Sequence, residues 1–357
     1  MGEFYVENPE GIPSPALLVD PDRVQANIAR MISSTGGDAS RLRPHVKTYK
    51  MAEVVQLQLA AGITKFKAAT LAELEMTAAA GAADVLLAYQ PVGPNIRRLA
   101  AAAERFPNTT LAALVDNRTA ATEIAAAFAH STRPLRLFID VDCGMHRTGI
   151  AWGPELKQLR DTIESLAGVS FGGLHVYDGH LHDASLAART AAAEAIIETA
   201  RDYAAPAVIG GGSPTFGIWA AQTPWECSPG TTLLWDVGYG TTYPDLPFEI
   251  AAALLTRVIS KPGEQRLCLD LGYKAVAAEM PLERRVTIPT IPGMSLTGQS
   301  EEHLVITTPA ADRYAIGDTF VAYPRHICPT VALHARAHVV RKGVATGETW
   351  RVASRDR

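Results

Sequence analysis

Three stretches of this chain combine residue types suited to covalent and anion-binding chemistry. Lys47 lies in the run Pro44-His45-Val46-Lys47-Thr48. A lysine amine in a partly desolvated pocket has a lowered pKa and can form a Schiff base with a carbonyl group. In Asp142-Cys143-Gly144-Met145-His146-Arg147-Thr148-Gly149, glycines bracket a His-Arg pair. The planar fork of Arg147 suits an anionic oxygen. Gly210-Gly211-Gly212-Ser213-Pro214-Thr215 presents backbone N–H groups beside hydroxyls, which can cradle a phosphate. Ser228-Pro229-Gly230-Thr231 and Trp235-Asp236-Val237-Gly238-Tyr239-Gly240 add further polar groups downstream. Each stretch alone also reads as structure: a surface lysine, an arginine paired with a carboxylate, a tight turn. Together, an amine for an aldehyde, a guanidinium for a ring oxygen and a glycine nest for a phosphate describe a pocket for pyridoxal 5′-phosphate (PLP).

Two histidine-bearing stretches remain. In His175-Val176-Tyr177-Asp178-Gly179-His180-Leu181-His182-Asp183, strand alternation puts His175 and Tyr177 on one face. The three histidines have a spacing superficially like that of metal ligands. A strand end followed by a glycine turn does not aim three rings at one point, so the stretch reads as the polar lip of a pocket. In His326-Ile327-Cys328, residues i and i+2 of an extended segment point the same way. Imidazole plus thiolate suits a borderline divalent ion such as zinc, and manganese, magnesium or cobalt less readily. The competing reading is a buried cysteine beside a core histidine. Pro324 and Pro329 bracket the segment and suggest a rigid loop.

The elements around these residues alternate. Arg41–Thr48, Lys65–Ala69, Asp84–Tyr89, Leu111–Asp116, Arg136–Asp142, Ser170–Tyr177, Ala207–Gly212 and Trp225–Asp236 read as strands. Ala/Leu/Glu-rich segments with helical spacing lie between them, with Asp20, Asn117 and Asp183 as candidate caps. Eight βα-like units in about 220 residues match a (β/α)8 TIM barrel better than a doubly wound sheet, and put the chemistry at the C-terminal strand ends. From about residue 246 the pattern changes to short Val/Ile/Thr-rich runs separated by turns, which predicts an antiparallel β domain. The expected division is a barrel over 16–245 and a β domain over 246–357, with part of 1–15 joining the latter. No flexible linker separates them, so a site at their junction is expected.

Composition narrows the function classes. The chain has 357 residues, 47% of them hydrophobic, and 33 basic against 37 acidic side chains give a net charge of −4. That balance offers no footprint for nucleic acid or an anionic membrane. The four cysteines are scattered, with neither a disulfide framework nor a zinc ribbon. No signal peptide or membrane span is apparent, which leads to the expectation of a cytoplasmic protein.

Taken in order, these residues resemble the D-threonine aldolase/D-serine dehydratase family, PLP enzymes of the alanine racemase fold type. Arg43-Pro44-His45-Val46-Lys47-Thr48 looks like the family's PLP-lysine motif, with Tyr49 where a His is usual before Lys50. The resemblance implies that Arg147 contacts the ring oxygen, Tyr177 lies near the cofactor, and Gly211, Gly212 and Ser213 hold the phosphate. Ser300-Glu301-Glu302-His303 and the stretch His326–His334 are similar to β-domain elements of the family, and His326 and Cys328 match its metal-ligand pair. Thr231 and Tyr239 complete the candidate cofactor residues. Cys328 stands where the aldolase branch carries Asp, as in the dehydratase branch. Asp178 stands where the aldolase branch carries His, and His180 becomes the candidate base. The implied activity is cleavage of D-3-hydroxy amino acids to glycine and an aldehyde, using PLP and a divalent metal (Mn, Mg, Co or Zn). The alternative is dehydration of D-serine or D-3-hydroxyaspartate, and a metal-free racemase is a more distant one. A homodimer is also implied.

Overall fold

The computed structural model describes residues 4–357. The described chain divides into two units, one of residues 28–47, 55–230 and 356–357, the other of 4–27, 48–54 and 231–355. The first strand in the chain, Ala16–Val19 (β1), belongs to the second unit.

The larger unit is built on a seven-stranded parallel sheet. Its strands are Lys65–Ala68 (β2), Asp84–Leu87 (β3), Thr110–Val115 (β4), Leu135–Val141 (β5), Val169–Val176 (β6), Val208–Gly210 (β7) and Glu226–Cys227 (β8), paired in that order. A helix follows each strand from β2 to β7. The two ends of the sheet meet one segment: Leu42 pairs in parallel with Cys227, and His45 with Lys67. The N–H of Arg43 donates to Cys227 O at 2.8 Å, and that of Lys67 to Pro44 O at 2.9 Å. An eighth parallel position therefore closes the barrel. Arg41–Thr48 is not the regular strand its sequence predicts. Pro44 has no N–H for a ladder, and Val46–Thr48 turns into a 3-10 helix. Likewise Trp225–Asp236 is strand only at Glu226–Cys227, because Ser228-Pro229-Gly230 breaks the run and 231–233 is helical.

Local signals explain the helix starts. Asn117 Oδ1 accepts from Ala120 N at 2.9 Å and caps Arg118–Phe128. Thr70 caps Leu71–Ala79, while Glu73 reaches back to Ala69 N at 2.6 Å. For Leu186–Arg201 the cap is Ser185 rather than Asp183, which instead accepts the N–H of Ser185 at 2.7 Å. Leu86, Ala112, Leu114, Phe138 and Ile209 pack together as a core cluster of the barrel.

The second unit is a β domain. Its later strands are Ala252–Ser260 (β9), Arg266–Leu269 (β10), Val286–Thr287 (β11), Ser295–Gln299 (β12), Leu304–Thr307 (β13), Thr319–Pro324 (β14), Arg336–Arg341 (β15) and Val344–Arg351 (β16). The main path is β12-β13-β10-β9-β1-β15-β16, with β14 on β9 and β11 on β14. Pairing is antiparallel except for β1 on β15. β1 is the sequence Ala-Leu-Leu-Val, buried on both faces, so it shows no alternation for a sequence reading to detect. Short helices interrupt the domain, among them Val237–Thr242 and Ile327–Val331.

Candidate active site

The candidate residues of the barrel collect at the C-terminal ends of its strands. Lys47 follows the closing segment and is half-buried. Among the described residues its ammonium makes no hydrogen bond or ion pair, as suits an amine that must reach a carbonyl group.

Arg147 lies in the loop after β5, and that loop has a specific architecture. Asp142 Oδ1 accepts the N–H groups of Gly144 at 3.0 Å and His146 at 2.9 Å, and Oδ2 meets His146 Nδ1 at 2.9 Å. Partial burial opposes the charge of Asp142, but these bonds outweigh it and hold the carboxyl at about 2. Gly149 has φ +104°, and a Cβ there would lie 2.5 Å from Asp142 N, so only glycine closes the loop. Arg147 is exposed, with its guanidinium 5.5 Å from the centre of the Tyr177 ring.

Tyr177, just past β6, is fitted closely. A Cβ on Gly179 would fall 2.2 Å from its ring, and one on Gly212 would fall 3.2 Å away. The ring of His175 lies near-parallel to it, with centroids 6.5 Å apart. The glycine turn after β7 is held from beneath by Asp178, which is buried. Thr215 Oγ1 donates to Asp178 Oδ1 at 2.9 Å, Trp219 Nε1 donates to Oδ2 at 2.8 Å, and Gly212 N donates to Thr215 Oγ1 at 3.0 Å. Burial raises the pKa of Asp178. Gly211 adopts φ +72°. Ser213 Oγ accepts from Gly230 N at 3.1 Å, so the turn after β7 meets the segment after β8. A free amine, an arginine, a caged aromatic ring and a glycine turn at one end of the barrel fit the parts of a pyridoxal phosphate.

The three histidines past β6 diverge. His175 points into the barrel, where its Nδ1 meets Asp140 Oδ1 at 2.7 Å. His180 packs on Gly144, where a Cβ would lie 2.9 Å from its Nε2, and its buried Nδ1 has no partner among the described residues. His182 is exposed. Cys143 donates to Tyr177 O at 3.3 Å, and burial pushes its thiol up to about 12.

Sequence reading passes over Lys67 and Asp140 in this unit and gives Asp178 no part in holding the glycine turn. Lys67 is 2% exposed, and its Nζ lies 3.3 Å from His175 Nε2. The available signal was a lysine at an inward position near the end of a barrel strand.

The β domain holds the remaining candidates. Thr231 Oγ1 lies 3.5 Å from Cys328 Sγ, and Thr48 Oγ1 lies 3.1 Å from it. Tyr239 packs at a tilt between Trp235 and Tyr243, with ring centroids 5.3 Å and 5.4 Å away. His326 and Cys328 are not in an extended loop. His326 is the N-cap of Ile327–Val331, and Cys328 lies in its first turn. The turn starts here because the buried carboxylate of Asp236 accepts the N–H of Ile327 at 3.0 Å. The pair still converges. Burial disfavours the imidazolium of His326, but contacts to Cys328 and Glu279 override this and raise its pKa to about 9. Glu279 Oε1 lies 2.8 Å from His326 Nδ1. An imidazole and a thiol in mutual contact, with a carboxylate on the ring, form a donor set that fits a borderline divalent ion. Among the described residues no cluster of three or more His, Cys, Asp or Glu side chains forms a metal site.

Comparison with known proteins gives a consistent picture. Residues 19–235 match the family model described as alanine racemase, N-terminal domain, and residues 251–340 match that of a serine dehydratase domain. A D-threonine aldolase of Arthrobacter sp is 28% identical over 361 residues, covering 96% of this chain and 93% of the relative. A D-threo-3-hydroxyaspartate dehydratase of Delftia sp. (strain HT23) is 28% identical over 355 residues, covering 89% and 92%. The crystal structure of D-threonine aldolase from Filomicrobium marinum aligns with a TM-score of 0.89 at 24% identity, over 99% of this chain and 98% of that one, and so speaks for the fold.

Proposed function

This chain belongs to the alanine racemase N-terminal domain family and has its fold, and we propose that it is a PLP- and divalent-metal-dependent lyase that cleaves D-3-hydroxy amino acids to glycine and an aldehyde. The observation that carries the reading is the grouping of Lys47, Arg147, Tyr177 and the Gly211–Ser213 turn at the strand ends of the barrel, in a chain similar along almost its whole length to a D-threonine aldolase. Lys47 would supply the amine that anchors the cofactor, Arg147 would bind its ring oxygen, and Gly211, Gly212 and Ser213 would take its phosphate. Thr231 and Tyr239 are the candidate cofactor residues of the second unit. His326 and Cys328 would hold the metal, with Glu279 orienting the imidazole. When bound, PLP supplies an electron sink for a carbanion, and the metal supplies a Lewis acid for the β-hydroxyl.

The chain's own residues divide the remaining work. His180 takes the hydroxyl proton. Its buried Nδ1 has no hydrogen-bond partner among the described residues. Asp142 fixes the loop that aims Arg147, and Asp178 fixes the turn that receives the phosphate.

Dehydration is the second reading. Cys328 in the metal pair supports it, as does the similarity to the Delftia dehydratase. The test is to incubate the purified enzyme, with and without chelator, with D-threonine and D-serine and to identify the products. Glycine plus acetaldehyde, lost on chelation, supports the aldolase. A 2-oxo acid plus ammonia moves the assignment to the dehydratase. Turnover indifferent to the chelator removes the metal from the reading.

A further inference from the structure

Lys67 lies on β2 and His175 on β6, which are not neighbours in the sheet. Their 3.3 Å contact therefore crosses the interior of the barrel. Both stand one residue short of the C-terminal ends of their strands, as does Asp140 on β5. The contacts continue from Lys67 Nζ to His175 Nε2, from His175 Nδ1 to Asp140 Oδ1 at 2.7 Å, and from Thr148 Oγ1 to Asp140 Oδ2 at 2.8 Å. Thr148 is the neighbour of Arg147 in the loop after β5. The Lys67 ammonium also sits 5.4 Å from the centre of the Tyr177 ring.

We propose that Lys67 is a functional cation of the barrel mouth, seated on His175 and Tyr177, whose charge governs how tightly the anionic cofactor is held. The proposal rests on the reading of this mouth as a PLP site. Asp140 is a carboxylate, held low by His175, Thr148 and Lys67 against the effect of burial. Its acceptance of the His175 Nδ1 proton leaves Nε2 as the acceptor, so Lys67 donates. Burial and the nearby cations keep His175 itself neutral. Lys67 is then a buried charge with no carboxylate in ion-pair contact among the described residues. Such a charge burdens folding, and an apolar side chain would relieve it. A stability burden retained in a strand-end layer points to function.

The surroundings make this charge responsive to pH. Lys47 and Arg43 on the closing segment disfavour it, and Asp140 on β5 and Asp178 past β6 favour it. His175 and Tyr177 touch it, and Arg147 acts on His175. Burial dominates and brings Lys67 down to about 7 from 10.5. The unfolded chain then binds more protons between these two values. The stability penalty is therefore complete below the lower value and gone above the upper one.

The test measures PLP affinity of the apoprotein across pH for the wild type, Lys67→Met and Lys67→Arg, together with melting temperature. The expected wild-type affinity follows Lys67→Arg at about pH 6 and converges on Lys67→Met at about pH 9. The Met variant should bind roughly tenfold more weakly than the Arg variant throughout. Lys67→Met should melt above the wild type in acid, with the gain shrinking as pH rises. Parallel pH profiles in all three proteins would overturn the proposal. So would a Met variant that is destabilised at every pH and binds PLP normally, which would mark Lys67 as purely structural. Failure of the wild type to bind PLP at all would instead remove the cofactor reading on which the inference stands.

Discussion

The carboxylate of Asp178 accepts the indole N–H of Trp219 at 2.8 Å, and both side chains are buried. This bond ties the end of β6 to the helix Phe216–Gln222 after β7, and the same carboxylate holds Thr215 in the glycine turn. Asp178 is a strut under the turn rather than a group on the lip. Asp178→Ala leaves buried donors on Trp219 and Thr215 unpaired, and should destabilise the protein by about 3 kcal/mol. Urea unfolding measures this, and PLP affinity should fall with it because the turn loses its support.

Acid should loosen the loop of Arg147. Asp142 is depressed from 3.8 to about 2 by its bonds to the loop backbone. A group with a lowered folded pKa contributes stability that is present above its unfolded value and lost as pH falls through the folded one. The amide resonances of Gly144 and His146 should therefore move together in one titration near the lower value. In Asp142→Asn that titration should be absent, and PLP affinity should be reduced at neutral pH.

The barrel seam is held by charge. Arg43 is 1% exposed, with its guanidinium on Asp84 and Glu226 at 2.6 Å each. Removing one partner of a buried network strands the others. Arg43→Ala should destabilise by about 4 kcal/mol, read as a fall in denaturation midpoint. Arg43→Met with Asp84→Asn and Glu226→Gln should recover only part of that loss, because Arg136 and Lys65 lose their partners on Asp84 and Glu226.

Lys47→Ala should abolish the visible absorbance that PLP acquires on covalent attachment, with the melting temperature near that of the apoprotein. Retention of that band would move the anchoring amine to another lysine, and Lys67 is the nearby candidate.

The candidate chemistry of this chain is legible in sequence where it depends on residue type and local spacing. Lys47, Arg147 and the Gly211–Ser213 turn each lie in a short motif whose combination points to a cofactor, and the βα alternation places such motifs at strand ends. The change to β-type runs near residue 246 is likewise local. Other features escape because no local pattern reports them. β1 is four buried residues with no alternation, and its place between β9 and β15 depends on partners more than 200 residues away. The closing segment at Pro44 is strand-like only through its two parallel bridges.

The site divides in the same way. His326 and Cys328 can be picked out as a pair by their spacing. Only the tertiary structure shows that they pair across a helix start capped by Asp236, with Glu279 on the imidazole. Sequence order makes Lys67 one lysine of an ordinary strand, and Asp140 and His175 two polar residues on others. Closure of the barrel turns them into one buried layer. Residue types determine which reactions are available to a chain. Which polar groups lose water and meet one another depends on contacts between distant segments, and those form only when the sheet closes.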